Sequence, residues 1–334
     1  MQMQNILVLG GSGFVGSHLV SRLSSKCARI VVPSRHRARH KTICTVPGVE
    51  LVQADINEEG TLLQLCAGKD AVINLVGILH DREAKLPYGR AFQNAHVDLP
   101  RRIIDACMQH GVRRLLHMSA LNSGAMDNGE QVSRYLASKG DGEALVHEAD
   151  RLGNLDVTIF RPSVIYGQGD LFLHTFAKLA LKYPGFLPTE MRLLPLPCAH
   201  ARFMPVWVAD VADAFVHSLT DRSTFGVSYD LAGPDIYTLK QLVEYAAQQV
   251  EAPVRVLALS ERLGRLQATL LSLLPRPLLS PDNLRSMSVD SVLDANANLP
   301  PGWQPQSMRS VAPALLQQHD HNQYYALWRH QARR

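Results

Sequence analysis

The sequence predicts an α/β protein: a doubly wound, mostly parallel sheet with a small carboxyl-terminal region interleaved into it. Three observations lead there. Short β-rich runs alternate with longer amphipathic stretches from Asn5 to Arg161. A glycine-rich turn, Gly10-Gly-Ser-Gly13-Phe-Val-Gly16, joins the first run to the first amphipathic stretch. Beyond it, Pro162, Pro184, Pro188, Pro195, Pro197 and Pro205 break the chain into pieces too short for long helices. At 334 residues the chain exceeds what one core fills efficiently, so a dinucleotide-binding unit is expected over 1–165 and a substrate or interaction region over 166–334, with about 205–231 returning to the first unit.

Six strands are expected, over 5–10, 28–34, 49–54, 71–76, 112–119 and 155–161, with helices over 14–25, 58–66, 92–110 and 132–151. In the third helix Val97, Ile103, Ile104, Ala106 and Cys107 share a stripe while Arg101, Arg102 and Gln109 face water, and Gly111 stops it. A further run, 226–231, is a candidate to rejoin the sheet. Residues 257–279 combine Leu257, Leu259, Leu263, Leu266, Leu270, Leu271, Leu273 and Leu274 with three arginines. This is an amphipathic segment suited to burial, to packing between subunits or on a protein complex, or to rest on a membrane surface.

Composition excludes several classes. With 46% apolar and 19% charged residues and a mean hydropathy of -0.05, the chain reads as a soluble globule without the roughly 18-residue apolar run of a membrane span. Five scattered cysteines without a CxxC pair argue against disulfides and zinc, and the 14 histidines show no spacing that would bring three ligands together, so no metal is expected. The start of the chain lacks the pattern of a secretory signal, and a cytoplasmic location is expected, membrane-peripheral if 257–279 meets lipid. The net charge of +4 is concentrated at 35–41 and in the last six residues, too local to imply nucleic acid.

The glycine turn has the context of a pyrophosphate cradle. Gly10 permits the tight turn, Gly13 the approach of backbone to phosphate, and Gly16 close helix packing, with Ser12, Phe14 and Val15 completing the contact. After the second strand the chain reads Ser34-Arg35-His36-Arg37-Ala38-Arg39, with Lys41 following and no acid for a ribose 2′-hydroxyl. The arginines suit a 2′-phosphate instead, so NADP(H) is preferred and NAD(H) is the alternative. By position, Asp55 and Ile56 would meet the adenine, and Leu75, Val76 and Gly77 the ribose. Tyr135 and Lys139 stand one helical turn apart, so the lysine is expected to lower the phenol pKa and to hold the nicotinamide ribose.

Together these motifs, with Arg161-Pro162-Ser163-Val164-Ile165-Tyr166-Gly167 and Phe203-Met-Pro-Val-Trp-Val-Ala-Asp210, resemble the extended short-chain dehydrogenase/reductase family over about Asn5 to Leu219. His96-Val-Asp-Leu-Pro, Leu116-His-Met-Ser-Ala-Leu and Leu278-Leu-Ser-Pro-Asp-Asn-Leu look most like its atypical branch, related to the nucleotide-binding accessory subunit of mitochondrial complex I. The resemblance implies a Rossmann domain, cofactor contacts from Pro162 and Val164, Arg202 near the substrate mouth, NAD(P)-linked oxidoreductase, epimerase or dehydratase chemistry, and a quinone or respiratory setting. Two departures matter. Ala120 aligns with the family's substrate-binding serine or threonine, leaving Ser119, Asn122 or Ser123 to serve, and His96 stands where an asparagine is usual. Tyr135, Lys139 and Ser119 are therefore the catalytic candidates. Three readings stay open: an NADP(H)-linked oxidoreductase acting on a carbonyl or hydroxyl carbon, a non-catalytic NADP-binding scaffold, and an NAD-dependent nucleotide-sugar epimerase or dehydratase. Two further expectations are local: Asp210 and Asp213 cap or solvate a helix, and Asp81, Arg82 and Glu83 form a loop long enough to cover a nicotinamide.

Overall fold

The computed structural model describes residues 3–40, 42–81, 83, 87–127, 129–182, 188, 192–273 and 279–317. In chain order the first elements are β1 (Asn5–Leu9), α1 (Phe14–Leu23), β2 (Arg29–Ser34), β3 (Val49–Gln53), α2 (Thr61–Cys66) and β4 (Ala71–Asn74). There follow α3 (Leu99–His110), β5 (Arg114–Met118), α4 (Arg134–Arg151) and β6 (Asp156–Pro162). A seventh strand, β7 (Val227–Leu231), joins them, in the order β7-β6-β5-β4-β1-β2-β3. Every neighbouring pair is parallel. Ile6, Leu7, Val8 and Leu9 are all fully buried, as a strand covered on both faces requires. The order reverses between β1 and β4, and the crevice at the carboxyl ends of these strands is where such sheets take ligands.

One face of the sheet packs on α1 and α6 (Val208–Ser218), through Leu19, Val20, Val211 and Phe215. The other packs on α2, α3 and α4 through Leu62, Ile103, Cys107 and Val146. A third cluster, around Leu173, Leu242, Val243 and Ala312, joins α5 (Phe172–Ala180), α7 (Leu239–Gln249) and α10 (Met308–Gln317). Short strand pairs knit this carboxyl-terminal region to the sheet end: Ile165–Tyr166 with Val206–Trp207, and Arg202–Phe203 with Tyr237–Thr238.

The expected strands stand, with ends shifted by a few residues. Two expected segments are more irregular than foreseen. Residues 92–110 are helical throughout, but a π segment, Gln93–Asp98, stands between the α-helical Arg90–Phe92 and α3. The 257–279 segment is divided as well, its first residues belonging to the strand Arg255–Ala258, paired with Leu193–Leu196, and its helix, α8, running only over Glu261–Ser272. Leu274 and the residues to 278 lie outside the described part. Within this chain α8 is no core helix: Leu263, Leu266, Leu270 and Leu273 are 54–78% exposed, while the small Gly264 and Ala268 face the body.

Arg114, at the start of β5, is 2% exposed and locks α6 to the sheet. Its guanidinium donates to the carbonyls of Leu219 (3.2 Å), Asp156 (2.9 Å) and Ser218 and to Thr158 Oγ1 (2.7 Å), so the open carbonyl end of α6 is satisfied by a cation. Arg114→Met would leave those buried acceptors without a donor and should destabilise the fold by about 3 kcal/mol, read as a lower urea midpoint with unchanged m value.

Candidate functional site

The glycine turn begins where β1 ends. Gly10 has φ +77°, and a Cβ there would meet the Leu75 backbone at 3.1 Å. A Cβ on Gly11 would press on Val32 at 2.9 Å, and one on Gly16 would strike the Gly10 carbonyl. The turn is thus bare backbone by steric necessity. It opens α1, whose first turn has neither a side-chain cap nor an acid, so its amides and positive dipole end stay available to an anion. A pyrophosphate fits this cradle. Ser12 and Phe14 are half-buried at its rim, whereas Val15 points into the core and offers only its backbone.

At the end of β2, Ser34 is 8% exposed and its Oγ accepts the His36 amide (3.3 Å). The following turn is held by a residue that sequence reading passed over: Gln53, ending β3, accepts the Arg37 amide at 3.0 Å and donates to the Arg35 carbonyl. Arg35, Arg37 and Arg39 are exposed and, among the described residues, form no ion pair. Lys41 lies outside the described residues. Asp55 is folded into a local turn, its Oδ1 accepting from the Asn57 amide and side chain (both 2.9 Å), and Ile56 is half-buried beside it. Leu75 is buried, Val76 half-buried and Gly77 exposed at the end of β4, with the Val76 amide bonded to Asn74 Oδ1 (3.1 Å).

Helix α4 brings in the tyrosine and lysine. Ser133 caps it through the Leu136 amide (3.1 Å). Its first two amides, Arg134 and Tyr135, donate to one distant carboxylate, Asp282, at 2.9 and 3.1 Å. Asp282 belongs to α9 (Pro281–Ser286), where Ser286 also donates to Ser133 Oγ (2.8 Å). The chain from 280 to 291 continues as a strap over the carboxyl ends of three strands: Asn283 donates to the Leu79 carbonyl after β4 (3.1 Å), Asn122 after β5 to the Asp290 carbonyl (2.9 Å), and Ser163 after β6 to the Ser291 carbonyl (2.8 Å). Arg202 is held by Asp290 of this strap at 2.7 Å.

Tyr135 is half-buried against His96 and Phe92, ring centroids 5.7 and 6.1 Å away, and among the described residues its hydroxyl has no hydrogen-bond partner. Burial pushes its phenol up to about 12, which corrects the expectation that Lys139 would lower it. Lys139 is 4% exposed and donates to the Met118 carbonyl at 2.7 Å, and burial pulls its ammonium down to about 8 against the opposing Glu143. The two share a helix face, and one of the three ammonium donors is taken by the strand end. Glu143 is also buried; burial would raise its carboxyl, but the Arg161 guanidinium, donating from Nε at 2.8 Å, holds it well below the usual range. Ser123 donates to the same carboxylate at 2.7 Å, whereas Ser119 is 3% exposed and its hydroxyl finds no hydrogen-bond partner among the described residues. Ala120 is buried.

After β6, Pro162 is buried and Val164 half-buried, and the Pro162 carbonyl accepts the Leu121 amide (3.0 Å). Asp81 is no solvated loop tip: it accepts the amides of Phe92 (2.8 Å) and Glu83 (2.9 Å), while Arg82 lies outside the described residues. Asp213 pairs with Arg22 at 2.6 Å, and Asp210 accepts the Gln306 amide at 2.8 Å. Among the described residues no group of three histidine, cysteine or acidic side chains is placed to hold a metal.

Residues 6–231 match the model of the NAD dependent epimerase/dehydratase family. The chain belongs to that family. Among its relatives, the mitochondrial NADH dehydrogenase [ubiquinone] 1 alpha subcomplex subunit 9 of Arabidopsis thaliana is 27% identical over 87% of this chain and 71% of its own. The mitochondrial NADH-ubiquinone oxidoreductase 40 kDa subunit of Neurospora crassa is 26% identical over 96% and 80%. The expected likeness to complex I accessory subunits is thus borne out. Both relatives are named as mitochondrial, so the expected cytoplasmic location is without support. No described helix is long and apolar enough to cross a membrane. The crystal structure of dTDP-glucose 4,6-dehydratase from Streptomyces venezuelae with NAD and TYD bound superposes with a TM-score of 0.71 over 96% of this chain and 98% of that one, at 20% identity, a likeness of fold.

Burial of Lys139 in this family fold has a testable sign. Its pKa is 10.5 when free and about 8 when folded, so below pH 8 the charged group opposes folding in full, and the opposition fades as pH rises from about 8 to 10.5. Stability of the parent should therefore rise as pH goes from about 8 to 10.5, and Lys139→Met, which lacks this titration, should lose that part of the rise, as measured by urea unfolding of both proteins across the range.

Proposed function

We propose that this family member binds NADP(H) and acts as an oxidoreductase on a carbonyl or hydroxyl carbon of a small molecule. The observation that supports the reading best is the shared crevice: the bare glycine cradle at the end of β1 and the Tyr135–Lys139 helix both face the carboxyl ends of the central strands. Gly10, Ser12, Gly13, Phe14 and the backbone of Val15 and Gly16 would hold the pyrophosphate. Ser34, Arg35 and Arg39 would take the 2′-phosphate, Asp55 and Ile56 the adenine, and Leu75, Val76, Gly77, Pro162 and Val164 the nicotinamide half. When bound, the nicotinamide supplies the hydride donor or acceptor. Tyr135, a neutral phenol at physiological pH, holds the proton that a substrate oxygen takes. Lys139 anchors the ribose, and Ser119, whose buried hydroxyl has no partner among the described residues, is the third catalytic candidate. NADP(H) is favoured over NAD(H) because three unpaired arginines follow β2 and no acid does.

The test is direct binding followed by turnover. NADPH should raise the melting temperature and bind at least tenfold more tightly than NADH, roughly the difference one charge-assisted contact makes, and Arg35→Ala with Arg39→Ala should erase that preference. Tyr135→Phe should keep NADPH binding and lose turnover of any carbonyl substrate found by screening. Tight NAD with indifference to the arginines would favour a nucleotide-sugar epimerase or dehydratase instead.

A second reading, a dinucleotide-stabilised subunit of an assembly, is favoured by α8. Its exposed leucines, with Leu257 and Leu193 at 51% and 44% exposure, form an apolar stripe flanked by Arg255 and Arg262. Its relatives are named as complex I subunits. Leu266→Ser with Leu270→Ser should leave folding and NADPH binding unchanged while shifting the protein from a large complex or membrane pellet to the free fraction on cell fractionation. An unchanged distribution would remove the assembly role of this face.

A further inference from the structure

His96, one of the two residues that depart from the family pattern, is 2% exposed, and both its ring nitrogens are engaged. The Ile78 amide donates to Nε2 at 3.1 Å. Nε2 must then carry the lone pair, so the ring proton sits on Nδ1 and is donated to Ser138 Oγ at 2.8 Å. Ser138 Oγ in turn donates to the Tyr135 carbonyl at 2.9 Å. The donors run in one direction, from the turn after β4, through the imidazole, to the main chain of the tyrosine, with every proton accounted for. The ring itself lies between Phe92, stacked at 5.4 Å, and Tyr135, edge-on at 5.7 Å. Its backbone is fixed independently: it belongs to the π turn Gln93–Asp98, and α4 passes so close that a Cβ on Gly142 would collide with the His96 carbonyl. Burial, reinforced by Lys139 and His117, holds the imidazole neutral, with its pKa lowered to about 2, as the acceptor at Nε2 requires.

We infer that His96 is a positioning residue that fixes the distance between the Gly77–Ile78 turn and Tyr135, the two walls between which the nicotinamide half of the dinucleotide is held. The inference rests on the NADP(H) reading above. A buried histidine that merely filled space would support the whole fold evenly; this one bridges two segments on either side of one half of the site. The residues assigned above to the adenine half, Ser34, Arg35, Arg39, Asp55 and Ile56, form no hydrogen bond with His96, Ile78 or Ser138 among the described residues.

That asymmetry gives the experiment. His96→Phe preserves the ring between Phe92 and Tyr135 and deletes both hydrogen bonds, and His96→Gln restores a donor and an acceptor. Binding of NADPH and of 2′,5′-ADP, which carries only the adenine half, is measured for each by fluorescence and calorimetry alongside the melting temperature. His96→Phe should weaken NADPH by about tenfold, the weight of one buried hydrogen bond, while 2′,5′-ADP stays within about twofold of the parent, and His96→Gln should recover most of the loss. Equal weakening of both ligands, or unchanged NADPH affinity, would overturn the positioning role. Failure of the parent protein to bind either ligand would overturn the NADP(H) reading and this inference together, an outcome distinct from a parent that binds both and a variant that loses both alike.

Discussion

Burial of the Lys139 ammonium sets conditions that much of the structure satisfies. A cation removed from water needs strong acceptors and a nearby negative charge. The last carbonyl of β5 provides the acceptor, and Glu143, one helical turn further along α4, provides the charge. Glu143 then has to be compensated in its own right, which draws in Ser123 and Arg161 from the ends of β5 and β6, and Arg161 reaches Asp230 of β7 at 3.7 Å. A line of alternating charge thus runs from the middle of α4 across successive strand ends. It accounts for the polar side chains that cluster at the carboxyl ends of β5 and β6, and it ties in a strand from far along the chain, which completes the edge beside β6.

The sheet was legible because a strand buried on both faces has nothing polar to interrupt it, and because the glycine spacing admits one backbone path between β1 and α1. Other parts left weaker marks. The π turn at Gln93–Asp98 carries no periodic signature, since Val97 and Ile103 continue an apolar stripe whether or not one residue is looped out. The spacing of Tyr135 and Lys139 places them on a common face but says nothing of how deeply either is buried, so the pKa effect assigned to the pair fell to desolvation instead. In α8 the leucine repeat suggested an inward face; the small residues Gly264 and Ala268, which allow the helix to lie close against Pro197, turned out to mark the inside.

Contacts formed at long range were the least visible. Asp282 lies 148 residues from Arg134, and Gln53 lies 16 from Arg37, and neither stands in a local pattern that foretells its partner. Both act on the backbone rather than on side chains, holding a helix start in one case and an arginine-bearing turn in the other. The sequence therefore displays the groups with chemical character, while the residues that aim them are ordinary polar side chains whose role exists only in the folded chain.

The strap from 280 to 291 has a consequence for how the molecule is made. The glycine cradle and its strands come from the first third of the chain, but the carboxylate that seats the start of α4 is synthesised long after the helix it caps. A nascent chain can settle its first six strands early and hold a half-built crevice, with the first two amides of the tyrosine's helix unpaired and the strand ends open. Completion of the crevice is thereby delayed until residues 280–291 have left the ribosome, which keeps its strand ends from being closed ahead of the segment that covers them.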